Sequence, residues 1–260
     1  MTRWIYPADR ALSSLLRHGL FSGFGLALLL LNACAPTAVR PDLQRLYETA
    51  RQGVRHPPVI VIPGVMGSRL ANAQGEEQWI GSLSDALFSD YQHLALPIDA
   101  NTLEPADDGL EVTGLTDVFA GRDFYQSILQ ILEDAGGYVR AEPGQALPDA
   151  ARHYYVFSYD WRQDNVRSAK RLSRLIEQIR RDHQDPDLQV DIVAHSMGGL
   201  VTRYYLRYGE TDVLNDNEFP INYHGANRVR RVVLLGTPNL GSANSLHAFI
   251  EGRKVGLRRI

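Results

Sequence analysis

Ser196 stands in the pentapeptide Ala194-His195-Ser196-Met197-Gly198, directly after the apolar run Val190 to Ala194 and directly before an amphipathic segment that closes at Gly209. A serine at such a junction has the setting of a nucleophile. When a strand of a parallel sheet turns at once into a helix, the turn residue is strained and its side chain points off the sheet edge. The positions two before and two after it must then be small, because a Cβ there would meet strand or helix. They are Ala194 and Gly198, with Gly199 following. The usual form of this elbow is G-x-S-x-G, and alanine replaces its first glycine here. The turn also sets Ser196 at a helix N-terminus, so the free Met197 N–H can point at the oxyanion formed when the serine attacks an acyl carbonyl. A second donor is expected from the loop after an earlier strand, and the Val65 N–H in Pro63-Gly64-Val65-Met66-Gly67 is the candidate. His195 points away from its neighbour on such a turn and reads as a lining or packing residue, not the base. The plain alternative is a small-residue packing turn with an idle serine.

The elements that must hold this serine are legible around it. Val59 to Ile62 is a β-branched run between prolines, the mark of a buried parallel strand. Tyr154 to Phe157 reads as a second strand, Val190 to Ala194 as a third, and Val232 to Leu235 as a fourth. Between them, Val166, Ala169, Leu172, Ile176 and Ile179 recur at helical spacing behind a cap at Asp164 or Asn165. Leu200, Val201, Tyr204 and Tyr205 mark the helix after the serine. A further helix is predicted after Gly121, with Phe124, Ile128, Ile131 and Ala135 on its inner face and a stop at Gly136-Gly137. Strands alternating with helices predict an α/β domain over residues 57–260 with a mostly parallel sheet. Residues 72–121 read as an insertion that periodicity does not assign. No internal repeat is present.

Four pieces in order, "PPVIVIPGVMGSRL", "YDWR" (Tyr159 to Arg162), "VDIVAHSMGGLVTRYYL" and "VRRVVLLGTPNLGS", resemble the lecithin:cholesterol acyltransferase family, with its lysosomal phospholipase A2 and phospholipid:diacylglycerol acyltransferase relatives. They cover most of residues 57 to 242. The resemblance implies an α/β-hydrolase fold, Ser196 as acyl acceptor, Val65 and Met197 as oxyanion donors, a phospholipid or other acyl-ester lipid as substrate, and no cofactor or metal. It implies that Asp160 and Arg162 are structural or pocket-floor residues, although an ion pair is the simpler role for them. It also implies a membrane-contacting insertion at Trp79, Ile80, Leu83, Leu87 and Phe88, where a covered core helix is the alternative. No H-E-x-x-H, cysteine cluster or P-loop contradicts the metal-free reading.

In the hydrolase order the acid and the histidine follow the serine, each after a further strand. After Ser196 the aspartates are Asp212 and Asp216 and the histidines His224 and His247, all in polar loops or a lid-like segment. None has the strand context that a triad requires. The sequence reaches Ile260 soon after "LLGTP", so the expectation is a hydrolase domain truncated at its C-terminus, with base and acid outside it.

The leader has its own pattern. Arg3, Arg10 and Arg17 precede an apolar stretch from Leu20 to Leu31, shorter than the ~20 residues that span a bilayer. That reads as a secretory signal. Cys34, the single cysteine, follows Leu31-Asn32-Ala33 as in a bacterial lipobox; a plain signal peptide with a bystander thiol is the alternative. Residues 1–34 are thus expected to be a signal peptide with a lipidated cysteine, and 35–56 a tether that becomes a helix. Ala35 is not the aspartate that resembles an inner-membrane retention signal, so the expected place is an exported, outer-membrane or periplasmic lipoprotein at a membrane surface. With 44% hydrophobic residues, 22% charged and a net charge of −3, the composition is globular and gives no basis for nucleic-acid binding. Two rivals remain at this point. One is a lipid-binding lipoprotein without a complete triad; the other is a different hydrolase of the same fold, such as a peptidase.

Overall fold

The computed structural model describes residues 42, 45, 48, 56–102, 104–148, 150, 152–213, 219, 221–252, 254–255 and 258–259. The leader, Cys34 and almost all of the tether lie outside these residues.

The first strand is β1 (Val59–Ile62), whose four side chains are all buried. A small antiparallel sheet follows, built from β2 (Ser68–Ala71), β3 (Glu77–Trp79) and β4 (Glu111–Leu115) in the order β3-β2-β4. Its connection holds the short helix α1 (Leu83–Phe88), with a capping box at Ser82 and Asp85. The hairpin β5 (Val118–Phe119) and β6 (Arg122–Asp123) leads into α2 (Gln126–Gln130). Next come β7 (Val139–Arg140), β8 (His153–Val156), α3 (Asn165–Asp182), β9 (Val190–His195), α4 (Met197–Tyr208), β10 (Val229–Leu235) and α5 (Ala243–Glu251). A two-residue pair, β11 (Lys254–Val255) and β12 (Arg258–Arg259), ends the described chain.

The main sheet runs β10-β9-β1-β8-β7 with every pairing parallel. Alternation along the strands sends their side chains to two faces. Ile60, Ile62, Ile192, Ala194, Tyr155 and Phe157 form one core with α3 and α4. Val59, Val61 and Tyr154 form another with Ile128, Leu129 and Leu132 of the α2 segment. Covering both faces is what lets these strands be continuous apolar runs. In α3 the five residues predicted to face inward are all buried, and Asp164 is the cap, accepting the Val166 N–H at 2.9 Å. Burying each of the valine, leucine and isoleucine side chains among them contributes roughly 1.5–3 kcal/mol, and Leu172→Ala is expected to cost ~2–5 kcal/mol.

Two expectations change. The helix after Gly121 does not keep one register: Gly136 N–H bonds back to Ile131 C=O, five residues away, so Ile131–Ala135 is a π-turn. Ala135 is buried and Ile128 packs inward as predicted, joined by Tyr125, Leu129 and Leu132, while Ile131, where the π-turn begins, and Phe124, which precedes the helix, are exposed. The insertion, unreadable by periodicity, has its own core of Leu70, Trp79, Ile80, Tyr91 and Leu94. The arginines ahead of Val232 belong to β10. Arg230 is the extra residue of a bulge between Val229 and Arg231 and makes a bidentate ion pair with Asp191 of β9.

Candidate active site

Ser196 joins β9 to α4 with φ 49° and ψ −120°, a conformation that side chains other than glycine's strongly disfavour. Its N–H donates to Leu235 C=O at 2.8 Å, tying the turn to β10. The small residues around it are sterically required. Ala194 is fully buried beneath the turn. A Cβ on Gly198 would lie 2.4 Å from Pro63 O and 2.8 Å from Ile62 O, both backbone atoms at the end of β1. A Cβ on Gly199 would lie 2.0 Å from Thr237 Oγ1. α4 therefore starts pressed against the ends of two strands, and only glycine permits that approach.

The loop after β1 lies directly beside the serine. A Cβ built on Gly64 would be 2.8 Å from Ser196 Cβ. Gly64 to Gly67 is a tight turn closed by Gly67 N–H to Gly64 O at 3.1 Å, and Met66 at its third position has φ 63°, the pattern of a type II turn. Among the described residues neither the Val65 N–H nor the Met197 N–H meets a protein acceptor. The first N–H groups of a helix are left over by its geometry, and Met197 is the first residue of α4.

Three aromatic residues, to which the sequence assigns no such role, hold this turn. Tyr125 OH accepts the Gly64 N–H at 2.8 Å and lies 2.8 Å from His195 Nδ1. Tyr159 OH donates to Pro63 O at 3.0 Å, and the Trp79 indole N–H donates to Met66 O at 2.9 Å. His195, at the exposed end of β9, thus has a specific partner in Tyr125, and partial desolvation lowers its pKa, which favours the neutral ring.

No imidazole or carboxylate among the described residues is hydrogen-bonded to Ser196. His224 packs against Gly209, at the far end of the twelve-residue α4, and thus about 18 Å along the helix at ~1.5 Å per residue. His247 is exposed on α5, and Asp212 faces Lys170 at 3.4 Å. Asp216 lies outside the described residues.

The other candidates fall into two groups. Arg162 is 4% exposed and bridges Asp160 at 2.8 Å and Asp108 at 2.5 Å, so Asp160 and Arg162 form a buried ion pair that reaches into the insertion. Of the five apolar insertion residues, Trp79 and Ile80 are core, packed with Tyr91 and, through Trp79, against Trp161. Leu83, Leu87 and Phe88 are exposed on α1, Leu83 and Phe88 at 59% each. No helix among the described residues is long and apolar enough to cross a membrane.

The lecithin:cholesterol acyltransferase family model matches residues 116–260, more than half of the chain. Comparison with curated proteins gave no match. Among solved structures, a chain of "The crystal structure of Tle4-Tli4 complex" matches with 18% identity and a TM-score of 0.41, over 78% of this chain and 50% of that one. The chain thus spans about half the length of that solved chain.

Proposed function

The chain belongs to the lecithin:cholesterol acyltransferase family, and from that premise we propose that it is a lipid-directed serine acyl-transfer enzyme of the α/β-hydrolase fold. The observation that carries this reading is the pairing of a strained Ser196, at φ 49°, with two unengaged backbone N–H groups, Val65 and Met197, on the two elements that flank it. In this reading Ser196 Oγ attacks the acyl carbonyl of a phospholipid or related ester. The new Oγ–C bond forms as the carbonyl π pair moves onto oxygen, and the two N–H groups stabilise that oxyanion. Collapse expels the lipid alcohol, which takes the proton that Oγ lost to a base. Water or a second alcohol then attacks the Ser196 ester, giving its proton to the base, which returns it to the departing Oγ and restores the serine. His195 is held through Nδ1 by Tyr125 and is not that base; a histidine outside the Ser196 contacts described above has that role.

The same reading places the protein at a membrane. Leu83, Leu87 and Phe88 offer an apolar face next to the small sheet, and lipidated Cys34 would tether the exported chain at the outer membrane or periplasmic surface. Stable anchoring takes more than one acyl chain.

The test is release or transfer of fatty acid from phospholipid vesicles, with and without a long-chain alcohol, beside hydrolysis of short peptides. Acyl release from vesicles that Ser196→Ala abolishes is the expected result. Peptide cleavage alone would favour another hydrolase of this fold. Vesicle binding without any acyl release would favour a non-catalytic lipid-binding protein.

A further inference from the structure

We propose that Tyr125 and Tyr159 are positioning residues that lock the oxyanion turn, and that Tyr125 couples this turn to the serine elbow through His195. The proposal rests on the reading of Ser196 as nucleophile with the Val65 N–H as a donor.

Pro63 C=O and Gly64 N–H belong to one planar peptide unit, so fixing both ends fixes its plane. Tyr159 OH holds the carbonyl at 3.0 Å and Tyr125 OH holds the amide at 2.8 Å. Both tyrosines are buried, and desolvation raises the pKa of each, so they remain neutral hydroxyls. In the next unit, Gly64 C=O accepts from Gly67 N–H. Because carbonyl and amide point in opposite directions across a trans peptide, that bond leaves the Val65 N–H facing outward. Two units further, Met66 C=O accepts from the Trp79 indole, and the Gly67 N–H of the same unit closes the turn on Gly64 C=O. The turn is therefore anchored at each of these polar groups while the Val65 N–H stays free.

The anchors have a reason. Gly64 must lack a Cβ because Ser196 is too close, and a glycine gives the backbone freedom to rotate the following peptide. An oxyanion donor works only when already aimed at the developing charge. The residue that sterics demand is thus the residue least able to hold the donor, and the two hydroxyls supply the missing constraint. Tyr125 O accepts from Gly64, and assigning its own proton to His195 Nδ1 places the His195 proton on Nε2. The two donors, one on the turn and one on the elbow, are then held at a fixed separation by one side chain.

The experiment compares wild type, Tyr125→Phe and Tyr159→Phe, each in the complete protein, since a serine without its histidine base is a poor nucleophile. Its readouts are melting temperature, deuterium uptake of residues 63–67, the His195 15Nδ1 shift and the rate of fluorophosphonate labelling. Losing a whole oxyanion donor costs roughly 10²–10³ in rate. Misaiming one is expected to slow labelling about tenfold to a hundredfold in either variant, with faster uptake in the turn. The 15Nδ1 shift should move in Tyr125→Phe and stay in Tyr159→Phe, so the second variant carries the test if the first does not fold. Wild-type labelling rates in both variants, or unchanged uptake and an unmoved 15Nδ1 signal in Tyr125→Phe, would overturn the proposal. If wild type itself is not labelled, the nucleophile reading fails, while uptake and the imidazole signal still decide whether the hydroxyls lock the turn.

Discussion

Replacing Ser196 by glycine removes a side chain from a backbone conformation that only glycine adopts without strain. At φ 49° and ψ −120° the cost to an L-residue is on the order of 1–3 kcal/mol. Ser196→Ala keeps the Cβ and therefore keeps that cost. Ser196→Gly relieves it, but adds unfolded-chain freedom worth about 0.5–1 kcal/mol in the opposite direction. The net expectation is a glycine variant about 1 kcal/mol more stable than the alanine variant, or roughly 2–4 °C in Tm for a domain of this size. Both lack the hydroxyl and should be inactive. Thermal melts of the two proteins side by side measure the difference with the same loss of function in each. At an ordinary position glycine would be the less stable by about 0.5–1 kcal/mol. That ordering here would refute the claim that the elbow stores strain to present its serine.

Gly198→Ala drives a methyl group against Pro63 O and Ile62 O; it should cost ~1–3 kcal/mol in denaturant melts despite alanine's better helix propensity, and labelling should slow as turn and elbow separate. Arg162→Met leaves Asp160 and Asp108 facing each other without their cation. A loss of about 3 kcal/mol is expected, the low end for a buried pair because Asp108 borders solvent. Burial alone would raise the Asp108 pKa, but hydrogen bonds from Arg162 and the Leu110 N–H and the guanidinium charge outweigh it and hold it low. A depressed carboxyl contributes stability above its unfolded value near pH ~4 and loses it as pH falls through the folded value. The stability gap between wild type and Arg162→Met should therefore narrow in acid, which melts from neutral pH downward will show. Serine at Leu83, Leu87 and Phe88 together should weaken sedimentation with phospholipid vesicles severalfold without changing Tm by more than a few degrees, because these residues are exposed. Cys34→Ala should release the protein from the membrane fraction or leave an uncleaved precursor.

The parts of the fold that the sequence makes plain are those whose cause is local. Val59 to Ile62 and Val190 to Ala194 are buried on both faces and so read as unbroken apolar runs. Helix α3 carries its core contacts at a period that no other structure shares. The elbow is legible for the same reason: Ala194, Gly198 and Gly199 are small because neighbouring backbone leaves no room, and that constraint acts within a few residues of Ser196. The inner face of α2 differs from the expected one at Phe124, which precedes the helix N-cap Tyr125, and at Ile131, where the π-turn begins, and nothing in the residue types announces either. Trp79 looks like a surface aromatic beside Leu83 and Phe88, yet its partners are Met66, Tyr91 and Trp161. Tyr125 and Tyr159 each act through hydrogen bonds to residues more than sixty positions away. A long-range contact of that kind leaves no spacing to read, so the support of the site is visible only in three dimensions.

The central claim is that Ser196 is the acyl-accepting nucleophile, and covalent capture tests it most directly. The complete protein is incubated with a fluorophosphonate and the adduct is mapped by peptide mass. The account predicts a single adduct on the peptide that carries Ser196, absent from Ser196→Ala. Equal labelling of the two proteins, or an adduct on another serine, would contradict it.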